Sequence, residues 1–247
     1  MHYHWNWHIF WQMSPDGTHT YLETLLAGLG WTIATALSAW VMALILGIAV
    51  GVARTLPQRA LRALGNAWVE LFRNIPLLVQ MFLWFFVLPE LLPTPLGDWL
   101  KALPEAPFVT AVVCLGCFTS ARVAVQVAAG IEALSGGQRL AAVALGLRLG
   151  QVYRLVLLPL GLRIILPPLT SEFLNIIKNS SVALTIGLVE LTASARAMQE
   201  FSFQVFEAFS AATLIYVVVN LLALALMRAL ERRAAAFPSA GAGAGAA

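Results

Sequence analysis

The chain has 247 residues, of which 60% are hydrophobic and only 11% charged, and its mean hydropathy is +0.82. A water-soluble domain carries roughly 25% charged residues, so this composition excludes an ordinary soluble globule and points to a chain dissolved in a bilayer. A formal net charge of +3 is too small to argue for a nucleic-acid partner; what matters is where the cations stand. Cys114 and Cys117 form a Cys-x-x-Cys inside an apolar block, with no second pair and no histidine partner, which reads as packing thiols rather than a metal or redox centre.

Residues 1–22 are rich in aromatics (Trp5, Trp7, Phe10, Trp11, Tyr21), rings that favour a membrane interface because their bodies are apolar and their tips wet. His2, His4 and His8 lie at the terminus with only Asp16 nearby and are read as incidental rather than as metal ligands. This region has no Lys or Arg and no short apolar core ending in a small-residue cleavage site, so the first apolar block is expected to be a retained span. That span, 24–53, is free of charge and exceeds the roughly 20 residues a helix needs to cross hydrocarbon. Ala39, Ala43, Gly47 and Gly51 recur at every fourth position, a stripe that lets another helix approach closely. Arg54, Arg59 and Arg62 follow at once and by the positive-inside bias place this end in the cytoplasm and the amino terminus outside.

The second span, 67–92, has Glu70 and Arg73 near its start and Pro76 inside it. A proline there frees a carbonyl that neighbours or cavity water must satisfy, so a bend is expected. Residues 93–107 form an outer loop, and the third span, 108–131, is interrupted only by Arg122. Two readings of Arg122 stand side by side: a helix-end cation reaching water, or a cation lining a pathway.

The segment 136–159 carries Arg139, Arg148 and Arg154 between apolar blocks. Gly136 and Gly137 break the preceding helix; Gln138 to Leu145 reads as a short helix stopped at Gly146, and a second places Leu149, Val152 and Val156 on one face. Periodicity alone leaves open whether this pair docks in a groove of a soluble partner or lies on the membrane surface. The fourth span, 160–178, is the most polar, with Pro167, Pro168, Thr170, Ser171, Glu172, Asn175 and Lys178. Glu172, Asn175 and Asn179 share one helical face, which suits a water-accessible route better than lipid; the rival is an ion pair between Glu172 and Lys178. Residues 180–191, about half a span with Gly187 inside, read as a re-entrant or gate element, and 208–227 is the fifth span, anchored by Arg228, Arg232 and Arg233. Residues 234–247 are a low-complexity tail.

The reading is an all-α integral membrane protein of about five transmembrane helices, amino terminus out and carboxyl terminus in. It comprises an interfacial segment 1–22, a membrane domain 23–233 and a tail 234–247. No ATPase loop is present, because neither lysine, Lys101 or Lys178, follows a glycine as Gly-x4-Gly-Lys requires. No nucleophile elbow or His-Glu-x-x-His is present either, so the chain is expected to be non-catalytic.

Ala141-Ala142, then Gly146, then Val156-Leu157-Leu158-Pro159 resembles the EAA loop of bacterial ATP-binding-cassette importer permeases, with Leu140 in place of the family's Glu and Val156 in place of its Ile. Glu70-x-x-Arg73-x-x-Pro76-Leu77-x-x-Gln80 resembles the signature of the polar amino acid subfamily. Asn6-Trp7-x-Ile9-Phe10, Pro89-Glu90-Leu91-Leu92-Pro93, Phe118-Thr119-x-Ala121-Arg122, Pro167-Pro168-x-Thr170-Ser171-Glu172, Lys178-Asn179-Ser180 and Thr185-Ile186-Gly187-Leu188 extend the likeness over nearly the whole chain. Together they look like the permease subunit of a glutamate/aspartate importer, with glutamine, histidine or arginine as alternative substrates and an ion-coupled carrier as the remote rival.

The resemblance implies a type I importer fold in the bacterial inner membrane. Its partners would be a second permease subunit, identical or paralogous, a cytoplasmic ATPase dimer that uses ATP and Mg, and a periplasmic amino acid binding protein, with no cofactor or metal held by this chain. It assigns ATPase coupling to Ala141, Ala142, Gly146, Leu158 and Pro159. Arg122, Glu172, Asn175, Lys178 and Asn179 are the expected substrate route, because of their membrane depth.

Overall fold

A computed structural model describes residues 3–134 and 136–235; His2 and most of the expected tail lie outside the described residues. The described chain is helical, with a single isolated bridge between Met13 and Thr20. The main helices are α1 (Tyr21–Thr55), α2 (Arg59–Asn74), α3 (Leu77–Leu91), α4 (Thr94–Lys101), α5 (Ala106–Glu132), α6 (Gly136–Ala144), α7 (Leu149–Ile186), α8 (Leu191–Ser202) and α9 (Val205–Ala235). By length and composition α1, α5, α7 and α9 can each cross a membrane, and α2 with α3 makes a fifth crossing if the bent pair is one span.

α1 starts at a reciprocal cap. The Thr20 hydroxyl accepts from the Glu23 amide while the Glu23 carboxylate accepts from the Thr20 amide at 2.7 Å, so two donors that the helix leaves unmatched are satisfied. Its small-residue stripe, Ala39, Ala43, Gly47 and Gly51, is buried against α5, the neighbour it contacts most. A Cβ built on Gly47 would stand 2.6 Å from Val123 Cβ, and one on Gly51 2.6 Å from Val127 Cβ. The close approach therefore requires glycine at both positions, and the expected packing stripe is what the fold uses.

The second span is not a kinked helix: α2 and α3 meet at a bend of 102°. Pro76 disfavours helical geometry in the residue before it, and Ile75 is extended at φ −98 and ψ 128. Carbonyls freed by the break are taken by one side chain, as Gln80 Nε2 donates to Phe72 O at 2.9 Å and to Ile75 O at 2.8 Å. That use explains a glutamine four residues after the proline, buried to 2% exposure.

The other two interruptions have a common cause. α3 contains a π turn at Leu83–Val87 and α7 another at Tyr153–Leu157, in which Leu88 N donates to Leu83 O and Leu158 N to Tyr153 O. Each is followed at once by a proline, Pro89 or Pro159. A proline donates no amide hydrogen and clashes with the carbonyl four residues back; the wider turn moves that carbonyl away and keeps the helix continuous.

The second short helix of 136–159 is thus continuous with the fourth span, in place of the separate helices the sequence suggested. Residues 180–186, expected as a re-entrant element, instead prolong α7 as a 3-10 end, stopped where Gly187 takes φ +90.

At the other end of the molecule, Tyr3 and the Asn6 amide both donate to the buried Glu207 carboxylate at the start of α9. This bond pushes the Tyr3 phenol up to about 12. Trp5 and Trp7 stack parallel at 5.1 Å beside it, so the aromatic segment is docked rather than loose.

Replacing Gln80 by Leu would leave two carbonyls unpaired at the bend, and each buried orphan costs about 1–3 kcal/mol. The purified Gln80→Leu protein is expected to unfold several degrees below the parent in detergent; an unchanged Tm would refute the role given to Gln80.

Candidate substrate route and coupling segment

Glu172 stands mid-way along α7, only 9% exposed. Gln126 Nε2 of α5 donates to its Oε1 at 3.4 Å, Asn175 stands one turn on along α7, and the charges of Arg122 and Arg73 reach it through space. Arg122 is exposed on α5, with Cζ 5.0 Å from the centroid of the Phe118 ring, a cation–π contact. Lys178 is exposed and Asn179 half-buried further along α7.

Among the described residues the ion pairs within 4.0 Å are His19–Asp16, Lys101–Glu90 and Arg196–Glu200. The expected rival, a pair between Glu172 and Lys178, is therefore not formed. Glu190 is no partner for these cations either, since its carboxylate accepts from the amides of Thr192 and Ala193 and from the Tyr216 hydroxyl, each at 2.9 Å.

Glu172 is thus a buried carboxylate that feels two cations on other helices without an ion pair to either. Charged groups at membrane depth persist where they face water, a cavity or each other, so this face is suited to a polar, zwitterionic visitor. Of the residues expected on the route, Arg122, Glu172 and Asn175 come together, while Lys178 and Asn179 lie further along the same helix. Arg73 and Gln126 were not expected there. Gln126 was visible as the polar residue four after Arg122, hence on the same face of α5; Arg73 stood within the motif around Pro76, where nothing local marks it as a neighbour of α7.

The segment 136–159, expected to meet an ATPase, is built on a helix end. α6 closes with Leu147 N donating to Ala142 O at 3.2 Å and Gly146 N to Val143 O at 2.9 Å, the paired bonds of a Schellman cap. Gly146 supplies the left-handed residue at φ +81, which is why glycine stands there. Ala142 is buried and Ala141 exposed, and Leu140, Val143 and Leu145 lie open on α6. Leu158 is half-buried and Pro159 exposed just past the π turn. The turn's buried residues, with Val152, pack into a cluster containing Ala142 and the α5 residues Val123, Val127 and Ile131. The segment thus has one face joined to the membrane core and an apolar face left uncovered.

The chain matches the family described as binding-protein-dependent transport system inner membrane component over residues 43–236. It belongs to that family, a class of multi-pass inner-membrane permease components. It is 47% identical over 232 residues to the glutamate/aspartate import permease protein GltJ of Escherichia coli (strain K12), covering 93% of this chain and 94% of the relative. It is 33% identical over 190 residues to the probable glutamine ABC transporter permease protein GlnM of Bacillus subtilis (strain 168), covering 77% and 83%.

A solved amino acid ABC transporter, described as being with histidines, superposes with a TM-score of 0.73 at 28% identity, covering 86% of this chain and 95% of that one. An inward-facing MetNI methionine ABC transporter gives 0.71 at 18%, covering 90% and 99%, a likeness of fold. The fold is that of a type I ABC importer permease.

A branched side chain at Gly146 has to hold a left-handed conformation that costs roughly 1–2 kcal/mol. In Gly146→Val the amides of residues 146 and 147 are expected to exchange hydrogen clearly faster than in the parent. Equal protection would show that the cap does not hold the segment.

Proposed function

We propose that this chain is a permease subunit of an ATP-driven importer for acidic amino acids, glutamate and aspartate. The observation that carries the substrate is the 47% identity to GltJ along almost the full length of both chains. The charge pattern of the cluster agrees with it: Arg73, Arg122 and Glu172 offer two positive groups and one negative, the complement of a zwitterion with two carboxylates and one ammonium.

In this reading Arg122, Glu172, Asn175, Lys178 and Asn179, joined by Arg73 and Gln126, line the route. The uncovered apolar face of α6 and the residues Ala141, Ala142, Gly146, Leu158 and Pro159 meet a cytoplasmic ATPase. Leu140 then offers that ATPase an apolar contact in place of a carboxylate. A second permease completes the pathway and a periplasmic binding protein delivers the amino acid. ATP and Mg are used by the ATPase, and this chain supplies no bond-breaking chemistry. The amino terminus lies outside and α6 in the cytoplasm, in keeping with Arg54, Arg59, Arg62, Arg139, Arg148, Arg154, Arg228, Arg232 and Arg233 on one side against Lys101 and Arg196 on the other.

The test is ATP hydrolysis in proteoliposomes holding this chain, its ATPase and second permease, with binding protein loaded from a panel of amino acids. Stimulation by glutamate or aspartate above all others is expected; uptake by this chain alone on a proton or sodium gradient would overturn the proposal. Within that assay, Arg122→Gln combined with Lys178→Gln is expected to lower uptake at least about tenfold, the scale of about 1.4 kcal/mol of lost attraction for the substrate's carboxylates. Uptake and substrate preference left intact would remove both cations from the route.

A further inference from the structure

The last turn of α1 is held from two sides by groups that have no part in the cluster around Glu172. Tyr153, the first residue of the π turn in α7 and only 6% exposed, donates its hydroxyl to Thr55 O at 2.9 Å. Arg62 of α2 donates through Nη2 to the next carbonyl, Leu56 O, at 2.9 Å. A helix leaves its last carbonyls without intrahelical partners, and here two adjacent ones are claimed by two different elements. The same end of α1 meets α2 again, where Arg54 Nε donates to Asn66 Oδ1 at 2.9 Å and the Arg54 side chain lies over Gly65.

The placement of these bonds is the argument. Tyr153 sits at the joint where the segment containing α6 runs into α7, and its ring belongs to the cluster that includes Ala142 of α6 and touches Val52 and Leu56 of α1. α2, gripped by the other bond, runs from Arg62 to Arg73 and the 102° bend at Pro76. A displacement of the coupling segment therefore has a direct, hydrogen-bonded route into the end of α1, and from the same turn into the helix that carries Arg73. Side-chain hydrogen bonds across such a joint transmit position because they hold over a narrow range of distance and angle.

We infer that Tyr153 and Arg62 are positioning residues which together clamp the terminal turn of α1, so that movement of the coupling segment is passed to α2 and its bend. The inference rests on the coupling role proposed above for α6 and α7. A merely structural cap would affect how stable the protein is; the clamp affects how much transport each ATP delivers.

The test uses the complete complex, with ATPase, second permease and loaded binding protein, and compares the parent with Tyr153→Phe, Arg62→Gln and the double variant. Amino acid taken up per ATP hydrolysed is measured alongside thermal unfolding. Each single variant is expected to assemble with the ATPase and to transport about fivefold less per ATP, the scale set by one hydrogen bond. The double variant should be little worse than either single one, because both act on one turn.

An unchanged ratio in both single variants, or a fall in unfolding temperature with the ratio preserved, would overturn the clamp while leaving the importer reading in place. Multiplying losses in the double variant would overturn the shared turn. A parent complex whose ATPase ignored every amino acid would overturn the importer reading, and the clamp with it. Arg62→Gln lies on a different element from Tyr153, so misfolding of one variant leaves the other to decide.

Discussion

A peptide group in hydrocarbon has no water to bond, so every amide and carbonyl of a spanning helix must find its partner within the protein. This chain nevertheless places prolines inside its apolar blocks, and its architecture follows from how each resulting orphan is satisfied. At Pro76 the helix breaks outright and Gln80 collects the carbonyls of Phe72 and Ile75. At Pro89 and Pro159 the helix instead widens by one residue and continues. The difference has consequences: the break turns α2 out of line with α3, whereas the widened turn at Pro159 keeps residues 149–157 and the polar span on a single helix.

Around those breaks the bundle is held by contact rather than by charge. α1 and α5 meet along small residues, and the Cβ positions on Gly47 and Gly51 are already filled by Val123 and Val127. In a bilayer lipid tails are as apolar as leucine, so such close packing is what favours helix on helix over helix on lipid. By contrast α9 leaves Leu214, Val218, Leu221 and Leu222 open and is tied to the bundle at Tyr216, Ala223 and Met227 as well as near its two ends. One end carries Glu207 beneath the aromatic segment and the other Glu231, which accepts from Thr170 of α7.

Much of this was legible in the residues. Long apolar stretches announced an all-helical chain with four or five candidate spans, the four-residue stripe in α1 announced its packing face, and Gly146 marked a helix end whose left-handed residue the structure contains. Other features were not legible, for identifiable reasons. A proline in an apolar run marks a disturbance without saying whether the helix bends, breaks or widens, because that depends on a partner such as Gln80 whose reach is set in three dimensions. Tyr153 carries no local signal at all, since its acceptor lies 98 residues away in sequence. Glu172 was recognisable as unusual, but its bonded partner, Gln126, comes from α5, 46 residues away in sequence.

Glu172 and the second half of the segment 136–159 lie on one continuous helix, α7, and this constrains how they can communicate. α7 joins Tyr153 to Glu172 through a helical backbone containing Pro167 and Pro168, and neither proline donates a hydrogen bond, so this path has a soft middle. The alternative path runs from Tyr153 through the end of α1 into α2, elements whose contacts are hydrogen bonds of 2.9 Å and close packing at Gly65. A stiff path and a soft path in parallel divide a displacement unequally, so on the coupling role proposed above movement at α6 would shift α2 against α7 instead of carrying the bundle along as a block. The charges of Arg73 and Glu172 stand on those two helices, and their separation is the quantity that such a movement changes.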